Sequence, residues 1–98
     1  MVRKQVTVRN RSGLHLRPAS TFANLAASCA SDVVLIKGDK RVNPKSVLML
    51  MTAAVMCGET IELECSGPTE EADLEKLIAG IESGLGDSAV IKSHHNVG

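Results

Sequence analysis

Tryptophan and tyrosine are absent from this chain of 98 residues, and Phe22 is its single aromatic side chain. That removes the stacking platform on which single-stranded nucleic-acid binders and many sugar sites depend. Net charge is missing too, because eleven basic residues balance eleven acidic ones. No overall field draws the chain to nucleic acid or to an anionic membrane, so any anion recognition must come from a local site. Long apolar runs are also lacking. Val47 to Met56, interrupted by Thr52, is too short to span a bilayer, and Met1 to Val6 contains no apolar signal core, so a cytoplasmic protein without membrane insertion is the simplest reading. The three cysteines, Cys29, Cys57 and Cys65, show no CxxC spacing. Each falls in an apolar pattern, which predicts buried free thiols in place of a disulfide framework or a zinc site.

Catalytic signatures are equally scarce. The chain has no Gly-rich P-loop, no GxSxG elbow and no HExxH pair, and no paired catalytic carboxylates can be placed. His94-His95 are adjacent residues and supply too few ligands for a structural metal. Neither metal nor cofactor is expected.

A chain of this length makes one domain, which buries roughly 60–65% of its unfolded surface. Residues 2–9 read as a strand, since Val6 and Val8 alternate with Gln5, Thr7 and Arg9. Asn10 to Gly13 form a turn. Pro18 is tolerated only in a helix's first turn, so the first helix starts around Leu16 to Pro18. Ala19, Phe22, Ala23 and Ala26, with Leu25 and Cys29, form its apolar stripe. Val33 to Lys37 and Lys40 to Asn43 read as strands joined by a tight turn at Gly38-Asp39. Ser46 is placed to cap a short helix from Val47 to about Thr52 that is apolar all round, with Met49 and Leu50 as its core candidates. Thr60 to Ser66 alternates and turns Ile61, Leu63 and Cys65 inward. Thr69 is a good N-cap for the last helix, and Glu70, Glu71 and Asp73 complement the positive end of its dipole. Leu74, Leu77, Ile78, Ile81 and Leu85 are its buried face, with Gly84 and Gly86 as a stop.

The element order is βαββαβα, which predicts an α+β open-faced two-layer sandwich: a four-stranded antiparallel sheet with one wet face and three helices on the other. The domain is expected to span residues 1–86. Residues 87–98 lack periodicity and read as a flexible C-terminal tail.

The stretch Gly13-Leu14-His15-Leu16-Arg17-Pro18-Ala19 puts a lone histidine at the start of the first helix. A helix N-terminus presents unpaired N–H groups and partial positive charge, which bind phosphate readily. It disfavours a cation by about 0.3–1 kcal/mol, so a neutral, nucleophilic imidazole is expected there. If His15 took a phosphoryl group, the N–H groups of Leu16 and Arg17 and the Arg17 guanidinium are placed to meet its oxygens, with Ser12 beside them and Pro18 fixing the turn. From spacing alone, a histidine that merely decorates a loop stays open.

This stretch resembles the active-site motif of the histidine-containing phosphocarrier (HPr) family of the bacterial phosphoenolpyruvate-dependent sugar phosphotransferase system. The likeness covers about residues 2–85 and includes Asn43-Pro44-Lys45-Ser46 ahead of an apolar helix. The resemblance implies that His15 is phosphorylated on its δ1 nitrogen by Enzyme I, itself charged by phosphoenolpyruvate, and passes the phosphoryl group to an Enzyme II A-domain. It thus implies a carrier with a covalent intermediate, not a stand-alone enzyme. Leu16 stands where the family usually has alanine, which puts a bulkier side chain next to the nucleophile.

In many relatives the serine matching Ser46 is the target of HPr kinase/phosphorylase. Phosphate there would add about −1.5 to −2 charges at a helix start, and plain capping is the alternative. Val47, Leu48 and Met51 are expected to be exposed as a docking patch for several partners. Arg9 and Arg11 are candidate phosphate or partner contacts, with solvated loop charge as the alternative. A monomeric carrier is the leading expectation. The second is a regulatory protein of the same fold, switched at Ser46 and binding a transcriptional regulator.

Overall fold

The computed structural model describes residues 1–11 and 13–85. Its elements are β1 (Val2–Thr7), α1 (Leu16–Ala27), β2 (Asp32–Lys37), β3 (Lys40–Val42), α2 (Val47–Thr52), β4 (Thr60–Ser66) and α3 (Glu70–Glu82), which is the βαββαβα order read from the sequence. The strands lie in the order β1-β4-β2-β3, and every neighbouring pair is antiparallel. Val6 stands opposite Ile61, while Leu35 faces Leu63 and Val33 faces Cys65. Both members of each pair therefore point inward, onto the layer made by α1 and α3. Phe22, Leu50, Leu77 and Ile81 are fully buried where the helices meet the sheet. Each side chain of this kind stabilises the fold by about 1.5–3 kcal/mol.

Pro18 occupies the third position of α1, where a residue's N–H lacks an intrahelical acceptor in any case. The first α1 hydrogen bond runs from the Ala19 N–H to the His15 carbonyl at 2.8 Å. Helix α2 starts as predicted, with the Ser46 hydroxyl accepting from the Met49 N–H at 3.3 Å.

Several expectations are corrected. β1 ends at Thr7, although Val8 continues the pairing through hydrogen bonds with Glu59 and Gly58. β2 begins one residue earlier than read, at Asp32, and β3 ends at Val42, one residue earlier than read. Met49, read as core, is 44% exposed, because a six-residue helix offers one fully inward position and Leu50 takes it. Thr69 is the N-cap of α3, as read, but its side chain makes no capping hydrogen bond. Its hydroxyl donates instead to Asp73 at 2.8 Å, and the Glu70 carboxylate accepts the Gly67 N–H at 3.2 Å. Asp73 itself is buried, and also accepts from the Ser31 backbone at 3.1 Å and the Ser31 hydroxyl at 2.6 Å.

Cys29 and Cys65 are buried free thiols, as expected, but Cys57 is half-buried. Burial raises the thiol pKa of Cys29 and pushes that of Cys65 up to about 11, so both stay protonated and unreactive at neutral pH. No helix among the described residues is long and apolar enough to cross a membrane. Residues 86–98, including His94 and His95, lie outside the described residues.

Candidate functional site

His15 is the N-cap of α1, with extended backbone angles (φ −76°, ψ −175°), and its side chain makes no capping hydrogen bond. The residue is exposed, and its side chain has no hydrogen-bond partner among the described residues. Behind it, the N–H groups of Leu16 and Arg17 have no acceptor within the helix. Leu16 and Arg17 are exposed while Pro18 is buried, so the proline anchors a turn whose two neighbours face water. Arg9 and Arg11 are exposed as well. Ser12, read as a phosphate contact, lies outside the described residues.

The loop carrying His15 is fastened by residues that sequence reasoning did not single out. Asn10 is fully buried, donates its side-chain amide to the Gly13 carbonyl, and accepts the Gly13 N–H at 2.9 Å through its own carbonyl. The Leu14 N–H donates to the Val55 carbonyl at 2.9 Å. Gly13 has φ +63°, and a Cβ there would collide with the Val55 carbonyl oxygen and come within 2.8 Å of Met56 Cα. Only glycine lets the loop lie so close to the connector between α2 and β4. No local signal in the sequence pairs Gly13 with Val55.

Helix α2 packs against α1. Of the predicted docking trio, Leu48 is 77% exposed and Met51 is also exposed, but Val47 is half-buried against the core. Met49 and Met56 join the exposed set, and Met56 adjoins Gly13. The exposed apolar set is thus richer in methionine than expected, which suits a surface that adapts to different partners. Ser46 sits in a rigid turn. The Lys45 N–H donates to the Asn43 side chain at 2.9 Å and the Ser46 N–H to the Asn43 carbonyl at 3.1 Å, over a buried Pro44. The Lys45 ammonium turns away from Ser46 to the carbonyls of Ser31 (2.9 Å) and Cys29 (3.3 Å).

Comparison with known proteins matches residues 2–83 to the family described as PTS HPr component phosphorylation site. The HPr-like protein Crh of Halalkalibacterium halodurans is 43% identical over 82 residues, covering 84% of this chain and 98% of its own length. Phosphocarrier protein HPr of Treponema pallidum is 40% identical over 77 residues, 79% of this chain and 88% of its own. Among solved structures, HPr-C-His from Thermoanaerobacter tengcongensis superposes with a TM-score of 0.85 at 33% identity, covering 90% of this chain and 99% of that one. A further structure from that organism is of an HPr dimer. The chain belongs to the HPr family of the phosphotransferase system.

Proposed function

We propose that this chain is a phosphoryl carrier, accepting a phosphoryl group on His15 from Enzyme I and handing it to an Enzyme II A-domain in the cytoplasm. The observation that carries the reading is the exposed His15 at the N-cap of a twelve-residue helix, its side chain not spent on a capping hydrogen bond. A ring nitrogen lone pair attacks the phosphorus atom, the N–P bond forms, and the bond to the donor on Enzyme I breaks with its electron pair returning to the donor. The N–H groups of Leu16 and Arg17 and the Arg17 guanidinium then accompany the phosphoryl oxygens. The same groups serve equally when the acceptor attacks in the second transfer, so a site of this kind holds the group without trapping it. Leu48, Met49, Met51 and Met56 supply an apolar footing for both partners in turn.

Ser46 supports a second reading, in which the protein is a regulator switched by HPr kinase/phosphorylase and read by a transcriptional regulator. Its hydroxyl is the cap of the helix that carries the apolar patch, so phosphate there would alter that surface with little refolding. Similarity to the HPr-like protein Crh favours keeping this role beside the first.

Intact-mass analysis after incubation with Enzyme I, magnesium and phosphoenolpyruvate tests the carrier reading. We expect an acid-labile adduct of one phosphoryl group on the wild type and none on His15→Ala. An unmodified wild type in the presence of a cognate Enzyme I would sink it, and an adduct on Ser46 formed by the kinase would then carry the regulatory reading alone.

A further inference from the structure

We propose that Lys37 and Glu59 are positioning residues for His15: Lys37 from the β2–β3 hairpin and Glu59 from within brace the connector on which the histidine loop hangs. The inference rests on the carrier reading and deepens it. Residues 53–59, between α2 and β4, form neither helix nor strand, and Ala54 takes a left-handed conformation with φ +51°. Such a segment does not hold its own shape through a regular hydrogen-bond ladder. Yet its Val55 carbonyl receives the Leu14 N–H, and Gly13 is pressed against Val55 and Met56. Where the connector lies therefore sets where the His15 loop lies.

A single ammonium group organises that connector. Lys37 Nζ donates to the Ala54 carbonyl at 2.7 Å and sits 3.0 Å from Glu59 Oε1. The same Oε1 accepts the Met56 N–H at 2.7 Å. Both peptide neighbours of Val55 are thus tied to one lysine, directly at Ala54 and through Glu59 at Met56. Lys40, across the hairpin turn from Lys37, adds a bond from its Nζ to the Thr52 carbonyl at 3.0 Å. The far end of the connector is pinned by hydrogen bonds between Val8 and both Glu59 and Gly58, at 2.9 and 2.7 Å. Val8 leads within two residues to Asn10, which fastens Gly13. The braces close a circuit around the loop. The Lys37 ammonium and the Met56 N–H hold the Glu59 carboxyl below the usual carboxylate range, so the brace is charged at neutral pH.

A half-exposed ion pair of this kind contributes little to stability, typically about 0–1 kcal/mol. Misplacing a reacting group by a fraction of an ångström to an ångström slows transfer far more than that figure suggests. The two effects separate in experiment. Single-turnover transfer from phosphorylated Enzyme I is measured against increasing concentrations of the wild type, Lys37→Met, Glu59→Gln and Lys37→Arg, with thermal melting and the Leu14 amide resonance recorded for each. We expect Lys37→Met and Glu59→Gln to lower the maximal rate by about 10-fold at unchanged half-saturating concentration and near-unchanged Tm. The Leu14 resonance shifts in both, and Lys37→Arg restores rate and resonance together. Wild-type maximal rates in both variants overturn the proposal, as does a loss confined to the half-saturating concentration, which is a docking effect, or one that merely follows the unfolded fraction. A wild type that takes no phosphoryl group overturns the carrier reading itself, and the positioning role with it.

Discussion

Asp73 shows how far a single residue's role depends on a partner distant in the chain. In sequence it is one of three acids in the first turn of a helix, a position that favours carboxylates merely through the dipole. In the fold, the Ser31 hydroxyl, the Thr69 hydroxyl and the Ser31 N–H converge on it, and those bonds, the Ser31 side chain foremost, hold its carboxyl below the usual range. A group whose folded pKa is depressed binds fewer protons in the native state than in the unfolded one at acid pH, so stability rises with pH there. The contribution is complete above the ordinary aspartate pKa of about 4 and is lost as pH falls towards and through the lower folded value. The urea midpoint of the wild type is accordingly expected to hold from neutral pH down to about 4 and to drop below it. Asp73→Asn is expected to start lower at neutral pH and to fall less steeply in acid, leaving only the decline due to other depressed carboxylates such as Glu70. Parallel acid limbs for the two proteins would rule Asp73 out as a source of the pH dependence.

At the scale of elements, two helices are each followed by a non-glycine residue in the left-handed region, one position past the cap for Ala54 and two for Leu85, and the two differ in what the side chain does. Ala54 follows α2 with φ +51°, and Leu85 follows α3 with φ +53°. A left-handed conformation costs a non-glycine residue about 1–2 kcal/mol, part of which glycine gives back through the greater freedom of the unfolded chain. Ala54 is exposed and loses nothing else, so Ala54→Gly is expected to stabilise the protein by about 0.5–1 kcal/mol in urea unfolding. Leu85 is buried and closes the α3 end with a bond from its N–H to the Gly80 carbonyl. Leu85→Gly is therefore expected to destabilise by about 2 kcal/mol or more, since the lost side chain outweighs the relieved strain. Equal effects at the two sites would mean that backbone strain alone decides. The elements themselves were legible in the sequence because their signals are local: spacing of two in β4, the stripe of α1, a serine ahead of Val47. His15 and Ser46 were legible for the same reason, each standing next to the turn that defines it. Gly13 against Val55, Lys37 against Glu59 and Ser31 against Asp73 join segments far apart in the chain, and no periodicity announces such meetings.

For the molecule as a whole, the face of the sheet away from the helices raises the corresponding question of what keeps four strands paired without a second covering layer. Alternation in β4 assigns Glu64 to that wet face, yet it is only 3% exposed. Arg3 from β1 and Arg41 from β3 both fold onto its carboxylate, Arg41 at 2.7 Å after crossing over β2, and Arg3 also reaches Glu62 at 3.7 Å. The two arginine side chains remain about half exposed, and Val34 and Ile36, which stand opposite Glu64 and Arg41 in the strand register, are half-buried. One acid thus links the two edge strands through the centre of the sheet. Either arginine alone still leaves Glu64 a cation, so Arg3→Met and Arg41→Met are each expected to cost about 0.5–1 kcal/mol, the range of half-exposed pairs. Removing both leaves a buried charge without a partner, a penalty that neither single change incurs. The double variant is therefore expected to lose at least about 1 kcal/mol more than the sum of the singles. Urea unfolding of the four proteins measures the coupling directly. Additive losses, to within about 0.3–0.5 kcal/mol, would show that the arginines act as two independent surface contacts, with the sheet held by its backbone ladder and inner face alone.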